Sequence, residues 1–160
     1  MTDLTAKGAP PAGRVTLADA AATEALGRAV GARLRGGELI HLAGELGAGK
    51  TTFTRGLLAG LNGDANDVAS PTYTYLHAYR GGRLLLHHAD LYRLSGRADD
   101  LGLDEFLTDG GVLVVEWPER CPDLGVTPLR IAFAYEGEAG ERRCVDLPGC
   151  FADLATAQRE

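Results

Sequence analysis

The segment Gly44-Glu45-Leu46-Gly47-Ala48-Gly49-Lys50-Thr51 satisfies G-x-x-x-x-G-K-[ST], the Walker A phosphate-binding pattern, at every specified position. The pattern works only between a strand and a helix, and both neighbours fit. Leu39-Ile40-His41-Leu42-Ala43 is apolar enough for the strand, and residues 51–61 suit the helix. Glycines at 44, 47 and 49 let successive backbone N–H groups turn onto phosphate oxygens, and the opening helix points its positive end at the same anion. In that frame the backbone of residues Glu45, Leu46, Gly47, Ala48 and Gly49 faces phosphate, Lys50 reaches the outer phosphates and the Thr51 hydroxyl ligates Mg²⁺. Without ligand, Lys50 is expected to be an exposed loop cation whose removal costs the fold little. A plain glycine-rich turn is the alternative, and composition alone rarely delivers this order of residues in a strand–loop–helix frame.

With 160 residues and 45% hydrophobic content, the chain can build one real core: a leader over residues 1–13 and a single domain over 14–160. The formal net charge of -6 argues against a surface that holds RNA by itself, so any nucleic-acid connection should be indirect. No apolar run approaches the ~20 residues that cross a bilayer, and the first residues lack the apolar core of a secretory signal. The expectation is a soluble, cytoplasmic protein. Cys121, Cys144 and Cys150 form neither a C-x-x-C pair nor an even set, and read as reduced thiols.

A helix is expected from Thr16 or Asp19 to Gly36-Gly37, with Leu17, Ala21, Leu26, Val30 and Leu34 as its apolar stripe. Phe53, Leu57 and Leu61 give the helix after the loop its buried face. Residues 72–79 and 83–88 predict a hairpin across Arg80-Gly81-Gly82, residues 99–107 a short helix, and residues 130–135 and 141–147 a second hairpin. Val112-Leu113-Val114-Val115 is all aliphatic, as a parallel strand covered on both faces requires. The sum is a three-layer α/β P-loop NTPase fold, a parallel core sheet extended by antiparallel strands.

A P-loop needs acidic groups to hold or orient Mg²⁺, placed at the ends of core strands beside it. Asp90 ends the run Leu84–Ala89 and Glu116 ends Val112–Val115. Each alone is as easily a solvated strand end; beside a Walker A loop they form a pair. His88 shares a strand face with Asp90, either as a functional group or as a core-edge histidine bonded to backbone. Thr72, in Ser70-Pro71-Thr72, stands where a hydroxyl could sense the γ-phosphate, or in an ordinary turn.

Gly44 to Phe53, Ser70-Pro71-Thr72-Tyr73, His88-Ala89-Asp90-Leu91-Tyr92-Arg93 and Glu116-Trp117-Pro118-Glu119, in that order, closely resemble the TsaE (YjeE) family, small bacterial ATPases of N6-threonylcarbamoyladenosine synthesis at position 37 of tRNA. Thr23-Glu24-Ala25-Leu26-Gly27 looks like the family's T-x-x-L-G segment, and Glu45 stands where the family commonly has aspartate. The resemblance implies a Mg²⁺-dependent ATP hydrolase that docks on a complex of the TsaB and TsaD proteins and resets it between turnovers, meeting tRNA only through them. Carried over by motif, Lys50, Asp90 and Glu116 are catalytic. Thr51, Asp90 and Glu116 serve the metal, Thr23, Thr52 and Trp117 join the ATP/ADP site, and Thr72 and His88 are possible sensors.

Rival readings are a small-molecule kinase, which needs an acceptor site and an arginine-bearing lid, and a nucleotide-gated binding module with negligible hydrolysis. Arg93, Arg97 and Arg120 are too scattered to claim such a lid, and a GTPase is disfavoured by the lack of an N-K-x-D stretch.

Overall fold

Two five-residue runs, Leu39–Ala43 (β2) and Val112–Glu116 (β5), are buried along their whole length and lie side by side in parallel register. A strand without a polar face can only sit inside a sheet covered on both sides. The computed structural model describes residues 11–45, 47–68, 76–92, 101–138 and 142–157. The remaining strands are Pro11–Leu17 (β1), Leu76–Tyr79 (β3), Leu86–Asp90 (β4), Leu129–Glu136 (β6) and Arg142–Pro148 (β7). They make one sheet in the order β1-β7-β6-β2-β5-β4-β3. The core β6-β2-β5-β4 is parallel; β7 with β1 on one side and β3 on the other extend it by antiparallel pairing.

The helices are Ala20–Gly31 (α1), Lys50–Gly60 (α2), Glu105–Thr108 (α3) and Ala152–Ala157 (α4). Side chains alternate across the sheet, and each face collects its own core. Ile40, Leu42, Val112 and Val114 pack with Leu26, Val30, Phe53 and Leu57 of α1 and α2, and with Phe151 and Ala155 at the C-terminal end. Leu39, Leu113 and Val115 face the other way, against Leu103 and the α3 side chains Phe106 and Leu107. The fold is therefore three-layered, with its thick helical layer on the α1–α2 side.

Helices α1 and α2 approach unusually closely because each carries G-x-x-x-G: Gly27 and Gly31 on α1, Gly56 and Gly60 on α2. A Cβ at Gly56 would overlap the carbonyl oxygen of Glu24, and one at Gly27 that of Phe53. Small residues at this spacing let two backbones touch, and α1 thereby sets where α2 begins.

Several expected boundaries shift. Residues 11–13, expected in the leader, belong to a strand, since Pro11–Leu17 pairs antiparallel with β7; residues 1–10 lie outside the described residues. Leu17, expected on the first helix, is a buried strand residue. The helix starts after Asp19, whose carboxylate accepts from the Ala22 N–H at 2.8 Å. It ends at Gly31 rather than Gly36-Gly37, because the following turn tightens into i→i−3 bonds from Arg33 and Leu34. The helix expected over 99–107 shrinks to α3, because Gly102 takes a left-handed φ of 64° that an α-helix cannot carry; residues 99 and 100 lie outside the described set. Both hairpins form, as β3–β4 and β6–β7; the strand expected over 83–88 runs instead from Leu86 to Asp90, and residues 72–75 and 141 of the expected strands lie outside the described residues. Cys121, Cys144 and Cys150 are free thiols. Among the described residues no helix is long and apolar enough to cross a membrane.

Candidate functional site

The loop between β2 and α2 is held by conformations that only glycine adopts readily. Gly44 has φ 144°, and a Cβ there would lie 2.7 Å from the Phe133 carbonyl oxygen. Gly49 has φ 108° and caps α2. Ala48 is fully buried and its N–H donates to the Glu45 carbonyl at 3.2 Å; Glu45 itself is exposed. Thr51 and Thr52 occupy the first turn of α2, half-buried, where their backbone N–H groups and the helix dipole favour an anion. Leu46 lies outside the described residues, as does Thr72 with the whole Ser70-Pro71-Thr72-Tyr73 stretch. Thr23 is buried on α1 against the loop: its hydroxyl donates to the Asp19 carbonyl at 3.3 Å, and its methyl would meet a Cβ at Gly49 at 3.4 Å.

Lys50 overturns one expectation. Its side chain is not an exposed loop cation but is 5% accessible, folded under the loop. Nζ donates to the Gly44 carbonyl at 2.6 Å and lies 4.4 Å from the centroid of the Trp117 ring. Burial pushes the ammonium pKa down, and the negative charges of Glu116, Asp90 and Glu119 partly restore it. The loop closes over its own lysine because the Gly44 carbonyl and an aromatic face offer part of what water would otherwise supply.

The acids converge on the same place from the sheet. Asp90 and Glu116 are register partners at the ends of β4 and β5, on the face that carries α2. Glu116 stands on the strand next to the loop strand β2, whereas Asp90 stands one strand further out, so only Glu116 is on an immediate neighbour. Glu116 is 4% exposed, and its Oε2 lies 3.1 Å from Nε2 of the fully buried His88. Asp90 accepts from the Tyr92 N–H at 3.0 Å, yet burial raises its pKa above the usual carboxylate value, helped by the charge of Glu116.

A folded-state pKa above the unfolded value of 3.8 means that the fold favours the protonated form. That contribution is complete below pH 3.8 and is lost as the pH rises through the folded value. Asp90→Asn should therefore raise the melting temperature of the nucleotide-free protein at pH 7 and leave it unchanged below pH 3.8. Differential scanning fluorimetry across pH checks this, and equal shifts at every pH would mean that the charge is not the cause.

Cross-ties make the two strand ends one unit. The Leu91 N–H donates to the Glu116 carbonyl at 3.2 Å, the Tyr92 and Trp117 rings lie 4.8 Å apart, and the Arg120 guanidinium donates to the Leu91 and Tyr92 carbonyls. Trp117 has φ 59°, a left-handed conformation costly for a bulky residue, so its place beside Lys50 is imposed by its surroundings.

Tyr135 and Arg143 belong to no motif in the sequence. They face each other across β6 and β7, with the guanidinium 4.3 Å from the ring centroid. Arg143 donates to the Gly47 carbonyl at 3.4 Å, and the Tyr135 hydroxyl lies 3.0 Å from where a Gly47 Cβ would stand. The expected second hairpin already set these residues on facing strands, which was the one signal available.

The glycine-built loop and Lys50 thus stand beside the buried carboxylate of Glu116, the half-buried carboxylate of Asp90 and the Trp117 ring. The family model described as "Threonylcarbamoyl adenosine biosynthesis protein TsaE" matches residues 17–145. A curated protein of Bacillus subtilis, "tRNA threonylcarbamoyladenosine biosynthesis protein TsaE", is 45% identical over 138 residues, covering 78% of this chain and 87% of its own length. The protein of that name from Streptomyces coelicolor is 45% identical over 140 residues, covering 82% and 93%. A crystal structure of Bacillus subtilis YdiB superposes with a TM-score of 0.67 at 29% identity, over 91% of each chain.

Proposed function

The chain belongs to the TsaE family, and from that membership we propose that it is the Mg²⁺-dependent ATPase of threonylcarbamoyladenosine synthesis on tRNA. The observation that supports ATP hydrolysis is the convergence of Lys50, Asp90 and Glu116 at the mouth of one glycine-built loop. Mg²⁺ needs hard oxygen donors and keeps several waters. Two neighbouring carboxylates and the Thr51 hydroxyl are that donor set, and the raised pKa of the half-buried Asp90 marks a carboxylate that a cation would stabilise. When bound, the metal neutralises charge that builds on the leaving phosphate oxygens.

The chain's own groups do the rest. Loop amides and Lys50 would hold the phosphates, Thr51, Asp90 and Glu116 would hold the metal directly or through its waters, and one of the two acids would also orient the attacking water. The water oxygen bonds to the γ-phosphorus as the bond to the ADP oxygen breaks, and the water proton passes to solvent. In the pathway this hydrolysis resets a complex of TsaB and TsaD, which performs the transfer and holds the tRNA. The net charge of -6 fits a protein that leaves the tRNA to its partners, in the cytoplasm.

Phosphate release with Mg²⁺·ATP, alone and with the partner proteins, tests the reading. Partner-stimulated release is expected; stoichiometric transfer to a small acceptor would make the chain a kinase. Asp90→Ala and Glu116→Ala should each lower hydrolysis at least about tenfold, roughly 1.4 kcal/mol of transition-state stabilisation, while ATP affinity measured by calorimetry changes much less. Since both acids serve one metal and one water, the double variant should be little worse than the worse single one. Losses that simply multiply would assign them independent roles.

Trp117, the only tryptophan, reports on the same place. Drawing Lys50 toward phosphate removes a cation from its ring, so saturating Mg²⁺·ATP should change its emission. Calorimetric binding with an unmoved spectrum would separate Trp117 from the nucleotide.

A further inference from the structure

His88 is fully buried, and neither of its ring nitrogens bonds to backbone among the described residues. That removes its reading as a core-edge histidine satisfied by main chain. Nε2 lies 3.1 Å from Oε2 of Glu116, while Nδ1 is buried without a hydrogen-bond partner. A hydrogen on Nδ1 would be an unsatisfied buried donor, and an unprotonated Nε2 would set a lone pair against the carboxylate. Only the neutral tautomer with hydrogen on Nε2 meets both conditions: it donates to Glu116 and leaves Nδ1 as a lone-pair site, the less costly group to strand.

We propose that His88 is the positioning residue of Glu116, its Nε2–H fixing the rotation of the carboxylate so that Oε1 is the oxygen presented to the nucleotide side. This rests on the ATPase reading given above. The geometry favours such a role. The two side chains project from the same face of adjacent parallel strands, since His88 is paired with Val114, two residues before Glu116. One carboxylate oxygen is therefore committed to the core, and a glutamate with a free final torsion becomes a fixed one. Pre-orientation of this kind accelerates a reaction without adding to ground-state binding.

Two substitutions of His88, a double-variant comparison in a Glu116→Gln background and one spectroscopic measurement test the proposal. Glutamine can place an amide N–H close to where Nε2 stands, whereas asparagine is too short. His88→Asn should lower kcat at least about tenfold with KM for ATP and ADP affinity changed less than about threefold, and His88→Gln should recover most of kcat. In a Glu116→Gln background, His88→Asn should add less than about a twofold loss. Independently of activity, ¹⁵N NMR of the nucleotide-free wild-type protein should show the His88 ring protonated at Nε2, with a resonance that moves in Glu116→Ala. A ring protonated at Nδ1, wild-type kcat in His88→Asn, or equal loss in both histidine variants together with lost nucleotide binding would each overturn the proposal. If the wild-type protein and its partners release no phosphate, the ATPase reading fails, and the proposed role falls with it. The NMR result would still say whether the His88–Glu116 bond exists.

Discussion

Lys50→Ala should lower ATP hydrolysis by about a hundredfold to a thousandfold, roughly 3–4 kcal/mol of transition-state stabilisation, since charge builds on the outer phosphate oxygens as they separate. Its effect on the fold is a separate matter, because Lys50 is buried. Removing it leaves the Gly44 carbonyl without its 2.6 Å donor and uncovers a face of Trp117, but also relieves an ammonium that burial disfavours. Lys50→Met keeps the aliphatic stem against the tryptophan without the charge, so it should lose activity equally while melting no lower than wild type. Phosphate release and scanning calorimetry on both variants check this. Full hydrolysis in either would remove the phosphate-binding role of the loop, and a lower melting temperature in Lys50→Met would show that the ammonium supports the fold.

Gly56→Ala should destabilise the protein by about 3 kcal/mol, because the new Cβ has no position that avoids the Glu24 carbonyl oxygen unless the helices part. Backbone cannot rotate aside as a side chain can. Urea unfolding measures the loss directly. Parting α1 from α2 also moves Thr23 away from Gly49, so nucleotide affinity should fall in the same variant even where it is fully folded. Ala59→Gly, half-buried on the same helix and absent from the glycine contact, provides the contrast: it should cost roughly the 1 kcal/mol of helix propensity alone. Equal losses in the two variants would mean that the close approach of the helices contributes nothing.

The strand–loop–helix from Leu39 to Gly60 was legible because its determinants are local. Glycine where φ is positive, an aliphatic run before it and a four-residue apolar spacing after it act within a few residues of one another. The aliphatic β5 and both hairpins were legible for the same reason. Sequence also nominated Asp90 and Glu116, as acids ending apolar runs. It had no means to order the strands, which is a choice among distant partners: His88 and Glu116 are 28 residues apart, and Arg143 and Gly47 are 96. Only the tertiary structure put Glu116 on the strand beside the loop and Asp90 one strand beyond. It also gave His88 a carboxylate rather than backbone to bond, and brought Arg143 to the Gly47 carbonyl. Lys50 shows the division most plainly. Its place in the motif followed from eight consecutive residues, but its burial depended on Trp117, held left-handed at the end of another strand, and local spacing carries no information about what packs above a loop.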